Sequence, residues 1–192
     1  MQVAGPLTDA AENLVLELVT RDPMRLSHLT AVAARCSVLS VTVEAAHVDA
    51  LVAAGWVHDI GYLPPLQQTG FHPLDGALYL RDTGWPDSVC DLVAHHSGSR
   101  FVARVHGLHE ELDTFGFAED PASDVLTIAD NTSRPDGSLV TVTERLHEKL
   151  RRHGPDSPGA MANPDRDDYI RSAMARVSRW LAERGHVDRY LS

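Results

Sequence analysis

Four prolines, Pro23, Pro73, Pro86 and Pro121, each stand at the front of a stretch whose apolar residues recur every three or four positions. Proline is tolerated in the first turn of a helix, where its missing N–H is not needed, and is disruptive further in. Stripes at i, i+3, i+4 and i+7 bury one face of a helix. The chain is therefore restricted to helices joined by turns. One helix is predicted from a cap at Thr8 to about Arg21, with Leu14 and Leu18 on its apolar side. A second runs from Pro23 to about Ser40, with Leu29, Val32, Ala33 and Cys36 as its stripe. A third, capped by Thr42, carries Leu51, Ala54 and His58 on one face and is stopped by Gly61, Pro64 and Pro65.

Further helices are predicted from Pro73 to near Gly84 and from Pro86 to Gly98, the latter with Val89, Leu92 and Val93 inward. Another spans Arg100–Leu112, broken at Gly107, and the helix opened by Pro121 holds Val125, Leu126 and Ala129. Leu139–Arg152 reads as a charged helix. Residues 154–168, rich in proline, glycine and aspartate, read as an exposed loop. Tyr169, Ile170, Ala173, Val177, Trp180 and Leu181 form the stripe of the last helix. The one β-branched stretch, Val38–Val43, is short and lies between two helices. The fold class expected is all-α.

A chain of 192 residues with 43% hydrophobic content suits a single domain with one core. Its motif-bearing part is expected at about 24–134, with a helical C-terminal extension at about 138–192. The net charge of -10 argues against a nucleic-acid polymer as partner, which would need a basic stripe. It leaves a small anionic substrate open, because a bound cation can reverse the field inside a pocket. Cys36 and Cys90 belong to no CxxC pair and read as reduced, buried residues. No window suits a membrane span or a signal peptide, so a cytoplasmic location is expected. The outer side of the last helix offers a surface for a possible homodimer.

Among the eleven histidines, position matters more than number. His58-Asp59 lies at the end of a helix, in Val57-His58-Asp59-Ile60-Gly61, where an imidazole and a carboxylate can turn toward one cation. His28 sits one turn before Val32, His72 precedes Pro73, and His95-His96 ends a helix. Asp130 follows the apolar run Val125-Leu126-Thr127-Ile128-Ala129. Taken singly, each has a plain structural account: a hydrogen-bonded core or boundary histidine, an exposed one, or an aspartate paired with Arg134 one turn on.

As an ordered series, His28, His58-Asp59, His72, His95 and Asp130 resemble the HD superfamily of metal-dependent phosphohydrolases. His72-Pro73-Leu74-Asp75-Gly76-Ala77 is similar to a segment of its two-metal branch, and Ala94-His95-His96-Ser97-Gly98 and Ile128-Ala129-Asp130 match two later motifs. The resemblance covers about residues 24–134. It implies a helical bundle whose ligands project into one cleft, with His28, His58, Asp59 and Asp130 as the minimal metal set and His58 and Asp59 at the centre of catalysis. The two-metal form adds His72 and His95, with Asp59 bridging. His95 is favoured over His96 by motif position, leaving His96 to face substrate. Arg100, Arg104 and Arg134 are candidates for binding phosphate.

The implied cofactor is one or two divalent transition-metal ions, iron or manganese first, with zinc, nickel, cobalt or magnesium as alternatives. The implied partner is a small phosphorylated compound, a nucleotide above all; bacterial HD-type hydrolases of dinucleoside tetraphosphates are similar in motif context. Tyr62 departs from the lysine that many members carry after the His-Asp motif, which leaves the phosphate clamp open. Two other functions share this ligand pattern. One is a di-iron oxygenase, which oxygen consumption would separate from a hydrolase. The other is a non-catalytic binding module.

Overall fold

The computed structural model describes residues 5–191, the side chain of residue 153 excepted. In chain order the helices are α1 (Pro6–Leu18), α2 (Pro23–Leu39), α3 (Ala45–Val57), α4 (His72–Asp82), α5 (Asp87–His95), α6 (Ser99–His106), α7 (His109–Leu112), α8 (Pro121–Asn131), α9 (Val142–His153), α10 (Pro158–Met161) and α11 (Asp165–Glu183). Short 3-10 turns cover Ser40–Thr42, Ile60–Tyr62, Pro64–Leu66 and His96–Gly98. Among the described residues there is no strand, only an isolated bridge between Ser133 and Leu139. The fold is all-α, and among the described residues no helix is long and apolar enough to cross a membrane.

Helix α3 is the axis of the bundle. Ala50, Leu51, Val52, Ala53, Ala54, Gly55 and Val57 are all buried, so the helix is apolar nearly all round, as a helix enclosed by others must be. It packs on α1, α2, α5 and α8. A single apolar cluster runs from Ala11 in α1 to Leu181 in α11 and includes both cysteines, which are free thiols.

Caps explain where several helices begin. Asp22 accepts a hydrogen bond from the Arg25 N–H at 2.8 Å and starts α2, one residue before the proline that marked it. The first helix begins at Pro6, so Thr8 is its third residue and not the expected cap. Its free N–H groups are instead taken by Asp49 of α3, which accepts from Leu7 N at 3.1 Å and Thr8 N at 2.9 Å. A distant carboxylate thus replaces a local cap. Likewise Glu44, not Thr42, precedes α3.

The stretch expected to be an exposed loop, 154–168, contains α10 and the start of α11 and is largely half-buried. Ser157 caps α10 through Ala160 N, and α10 packs on α6. The C-terminal helices are also tied to the bundle by charge. Arg176 on α11 makes a two-pronged contact with buried Asp124 on α8, at 2.6 and 2.7 Å.

Two close backbone approaches set the middle of the molecule. A Cβ on Gly55 would stand 3.0 Å from Ala33 Cα and from Cys36 Sγ, so α2 and α3 nearly touch there. A Cβ on Gly61 would stand 2.1 Å from the His72 carbonyl oxygen and 2.6 Å from Gly76 N. The turn after α3 is therefore pressed against the first turn of α4. Gly61→Ala is expected to push these apart and lower stability by about 1–3 kcal/mol, the usual cost of overpacking, or roughly 2–12 °C in Tm. Gly76→Ala, whose nearest contact would be 3.3 Å, should cost clearly less in the same thermal unfolding experiment; equal losses would contradict this account.

Candidate metal centre

The tight α2–α3 contact brings two histidines together. About one turn beyond it in each helix stand His28 and His58, whose ring centroids are 5.2 Å apart. Asp59 follows His58 where α3 gives way to the next turn. Its Oδ1 lies 3.6 Å from His58 Nε2, 3.2 Å from His72 Nε2 and 3.6 Å from His96 Nε2. Its Oδ2 lies 3.7 Å from His28 Nε2 and accepts a hydrogen bond from Arg25. Asp130, near the end of α8, completes the group with Oδ1 3.3 Å from His28 Nε2. His28, His58, Asp59, His96 and Asp130 are buried; His72 is partly open.

Hydrogen bonds orient the rings. His58 Nδ1 lies 3.0 Å from the Gly55 carbonyl, His96 Nδ1 2.6 Å from that of Val93, and His28 Nδ1 3.3 Å from that of Arg134. A carbonyl only accepts, so each Nδ1 carries the proton. In the neutral ring, Nε2 then offers a lone pair, and all three lone pairs face carboxylate oxygens.

Acceptors facing acceptors at such distances repel unless a proton or a cation lies between them. His58 cannot supply the proton, because burial drives its pKa down to about 3 against the nearby carboxylate. Its Nε2 is buried and without a hydrogen-bond partner. Burial would raise Asp59, but His58, and the hydrogen bonds that His72 and His96 donate when a proton sits on Nε2, outweigh it and hold the carboxyl well below its usual range. Asp130 is held low as well: burial is outweighed first by Lys149, then by His28. Neutral imidazoles and ionised carboxylates are the donor set of a divalent transition metal. His28, His58 and Asp130 each place a donor atom within 4.8 Å of the others, and so do His58, Asp59 and His96. The buried cluster fits a metal ion.

Of the paired histidines, His96 faces the cluster and His95 does not, which reverses the expectation from motif position. Helix α5 ends at His95, whose Nε2 lies 3.1 Å from the Phe115 carbonyl and whose ring packs near Phe117. His96 is extended, at φ -61° and ψ 149°, and this turn swings its ring to the other side. Ser97 follows in the left-handed region at φ 52°, uncommon for a residue with a side chain. That conformation aims its hydroxyl at Asp130, to which it donates, while Asn131 Nδ2 donates to Ser97 Oγ at 2.9 Å.

The three arginines expected to bind phosphate lie elsewhere. Arg100 packs over Phe117 and Tyr169 and reaches Glu119 at 3.3 Å. Arg104 is exposed and off the cavity wall. Arg134 spends its guanidinium on Glu148 at 2.8 Å and contributes only its carbonyl, to His28. Other cations take their place around a cavity of about 530 Å³: Arg25, Arg145, Lys149, Arg152 and Arg166. Lys149 Nζ donates to Asp130 at 3.2 Å and Asn131 at 3.0 Å, and Arg166 Nε donates to the Ser97 carbonyl at 3.0 Å. Arg25 was within reach of sequence reasoning, since it stands one turn before His28 on the same helix face. Lys149 had no such signal, being one charge in a charged helix.

The buried His58 also sets a pH dependence. Between about pH 6.5 and about pH 3 the unfolded chain binds a proton on this ring that the folded chain excludes. Stability is therefore complete above this window and falls as the pH drops through it. Metal-stripped protein should melt at a lower temperature at about pH 5 than at about pH 7; unchanged melting across that range would contradict the buried neutral ring.

The family model of the HD domain matches residues 25–134, more than half of the chain. No curated protein and no solved structure matches. The matched span begins beside His28 and ends just beyond Asp130, so it encloses every histidine and aspartate of the cluster. The chain belongs to the HD domain family.

Proposed function

We propose that the protein is a metal-dependent phosphohydrolase that cleaves a small phosphate ester or anhydride with water. One observation carries this reading. Three imidazole lone pairs and two ionised carboxylates converge in a buried cluster that opens onto a cavity with cationic walls.

In this reading His28, His58 and Asp130 would hold one divalent ion. Asp59, with His96 and the partly open His72, holds a second or completes the first. Asp59 is placed to share its oxygens, since Oδ1 faces three rings and Oδ2 faces the His28 side. A divalent ion bound here supplies Lewis acidity toward both water and a phosphoryl oxygen. Gly55, Val93 and Arg134 hold the rings through their carbonyls and keep each lone pair aimed inward. Ser97 and Lys149 pin Asp130, and Arg25 pins Asp59. Iron or manganese suits this mixed imidazole and carboxylate set. The occupant is read as a small molecule rather than a nucleic-acid polymer, in keeping with the chain's net charge of -10. Nucleotides are the first substrates to screen, dinucleoside tetraphosphates among them.

Metal analysis and phosphate release test this together. The wild-type chain should carry one to two ions per molecule and release phosphate or a phosphomonoester. Asp59→Ala should lose most of its metal and at least ~100-fold in activity while keeping its helical circular dichroism. Retention of full metal by that variant would sink the site, and oxygen consumption in place of phosphate release would sink the reaction. The paired histidines give a sharper check. His96→Ala should lose metal and activity by ~10–100-fold, whereas His95→Ala should keep its metal and show only a stability loss.

A further inference from the structure

The cavity wall farthest in sequence from the family motifs is built by α9, α10 and α11, outside the span that the family model matches. It carries more positive charge than the metal cluster uses. Five cationic side chains line the cavity against four carboxylates, Asp22, Asp59, Asp130 and Asp167, in a chain whose net charge is -10. Lys149 is committed to Asp130 and Arg25 to Asp59. Arg145 is different. It is 5% exposed, yet its Nε and Nη1 have no hydrogen-bond partner among the described residues. The carboxylate nearest to it, Glu148 at 3.7 Å, is already engaged by Arg134 at 2.8 Å. A buried guanidinium with unused donors is costly unless something anionic completes it. Arg145 stands one helical turn before Lys149 on the same face of α9. Arg166, on α11 and lining the same cavity, has one donor on the Ser97 carbonyl and Asp167 beside it in sequence.

We propose that Arg145, with Arg166 on the wall of the same cavity, forms an anion subsite one helical turn along α9 from Lys149, and that it selects ligands carrying two linked phosphates over ligands carrying one. The phosphate held at the cluster would be joined by a bridge to a second phosphate, toward which the Arg145 side chain, already on the cavity wall, would turn its buried and unpartnered N–H groups. The bridging anion could be free or esterified to a nucleoside, and the recognition chemistry is the same in both cases. This assignment rests on reading the His/Asp cluster as a metal centre that acts on phosphate.

Calorimetry on the full chain as purified, with metal measured on the same samples, tests it. Methylenediphosphonate, whose P–C–P bridge resists hydrolysis, is compared with methylphosphonate, and the adenosine ester of methylenediphosphonate forms a third arm. The bridged anion, free or esterified, should bind about tenfold tighter than methylphosphonate or better. Preference for the ester identifies a nucleotide source, and equal binding of both bridged ligands identifies the free anion. Arg145→Gln should bring bridged and single ligands to within about twofold of each other, and Arg145→Lys should restore part of the gap. Metal content should be unchanged in both variants. No preference for either bridged ligand in the wild-type chain overturns the proposal whether or not the variants fold, and so does a preference that survives Arg145→Gln. Absence of metal and of hydrolysis with the preference intact would fault the metal-centre reading alone.

Discussion

Asp59 meets the ring nitrogens of four histidines and one guanidinium with two oxygens, and the carboxylate and three of the rings are buried. Burying a carboxylate costs several kcal/mol even after the protein relaxes. Two of them, around the neutral ring of His58, would cost a sizeable part of the roughly 5–15 kcal/mol by which a domain is stable if nothing compensated them. Arg25, Lys149 and Ser97 offset part of that cost, but the inward lone pairs gain nothing from these contacts. The rest of the structure is arranged to tolerate this point. The α2–α3 contact at Gly55, the turn pressed on α4 at Gly61 and the apolar jacket of α3 hold the rings where they would otherwise separate. A cluster of imidazole nitrogens and carboxylate oxygens that converge within a packed frame is preorganised for a cation.

The C-terminal helices stand in a different relation to the site. They contribute no member of the His/Asp cluster, yet they close one side of the cavity and supply Arg145, Lys149, Arg152 and Arg166. Arg176 and Asp124 join α11 to the very helix that carries Asp130, so the cationic wall and the carboxylate share a foundation. The acidic surface and the cationic pocket are therefore compatible features. The net charge of -10 belongs to the chain as a whole, while the pocket field is set by groups within a few ångströms.

Much of this was legible in the residues. Helical periodicity and N-terminal prolines located most of the bundle, and the resemblance carried by the ordered series His28, His58, Asp59, His72 and Asp130 marked side chains that the fold does bring together. What escaped depended on distances the linear chain does not carry. Asp49 caps a helix more than forty residues away. The half-buried 154–168 stretch is ordered by α6 and not by its own composition, which is that of a loop. Arg100 and Arg134 were placed by nearness in sequence to the motifs, but aromatic rings and Glu148 claim them in space. The His95–His96 choice turned on a single residue, the last one in α5. Helix ends are the part of a helix that periodicity fixes least well, and a shift of one residue turns a side chain by about a hundred degrees.

Tyr62 shows how a departure from a family pattern can be absorbed. Where a lysine would bring a charge to the cavity, the ring of Tyr62 stacks on His72, with centroids 3.8 Å apart and planes 15° from parallel. The guanidinium of Arg25 lies over the same ring at 4.3 Å. The aromatic side chain thus serves as a platform: it fixes the most exposed imidazole of the cluster and holds an arginine against Asp59. The positive charge is still present, but it arrives from α2 and is braced rather than free to swing. A guanidinium fixed by a ring and a carboxylate gives up mobility and retains its planar donor geometry. On the C-terminal wall Lys149 and Arg166 are engaged as well, and Arg145 keeps Nε and Nη1 without partners among the described residues, so in the proposed reading ligand recognition passes from the motif to the extension.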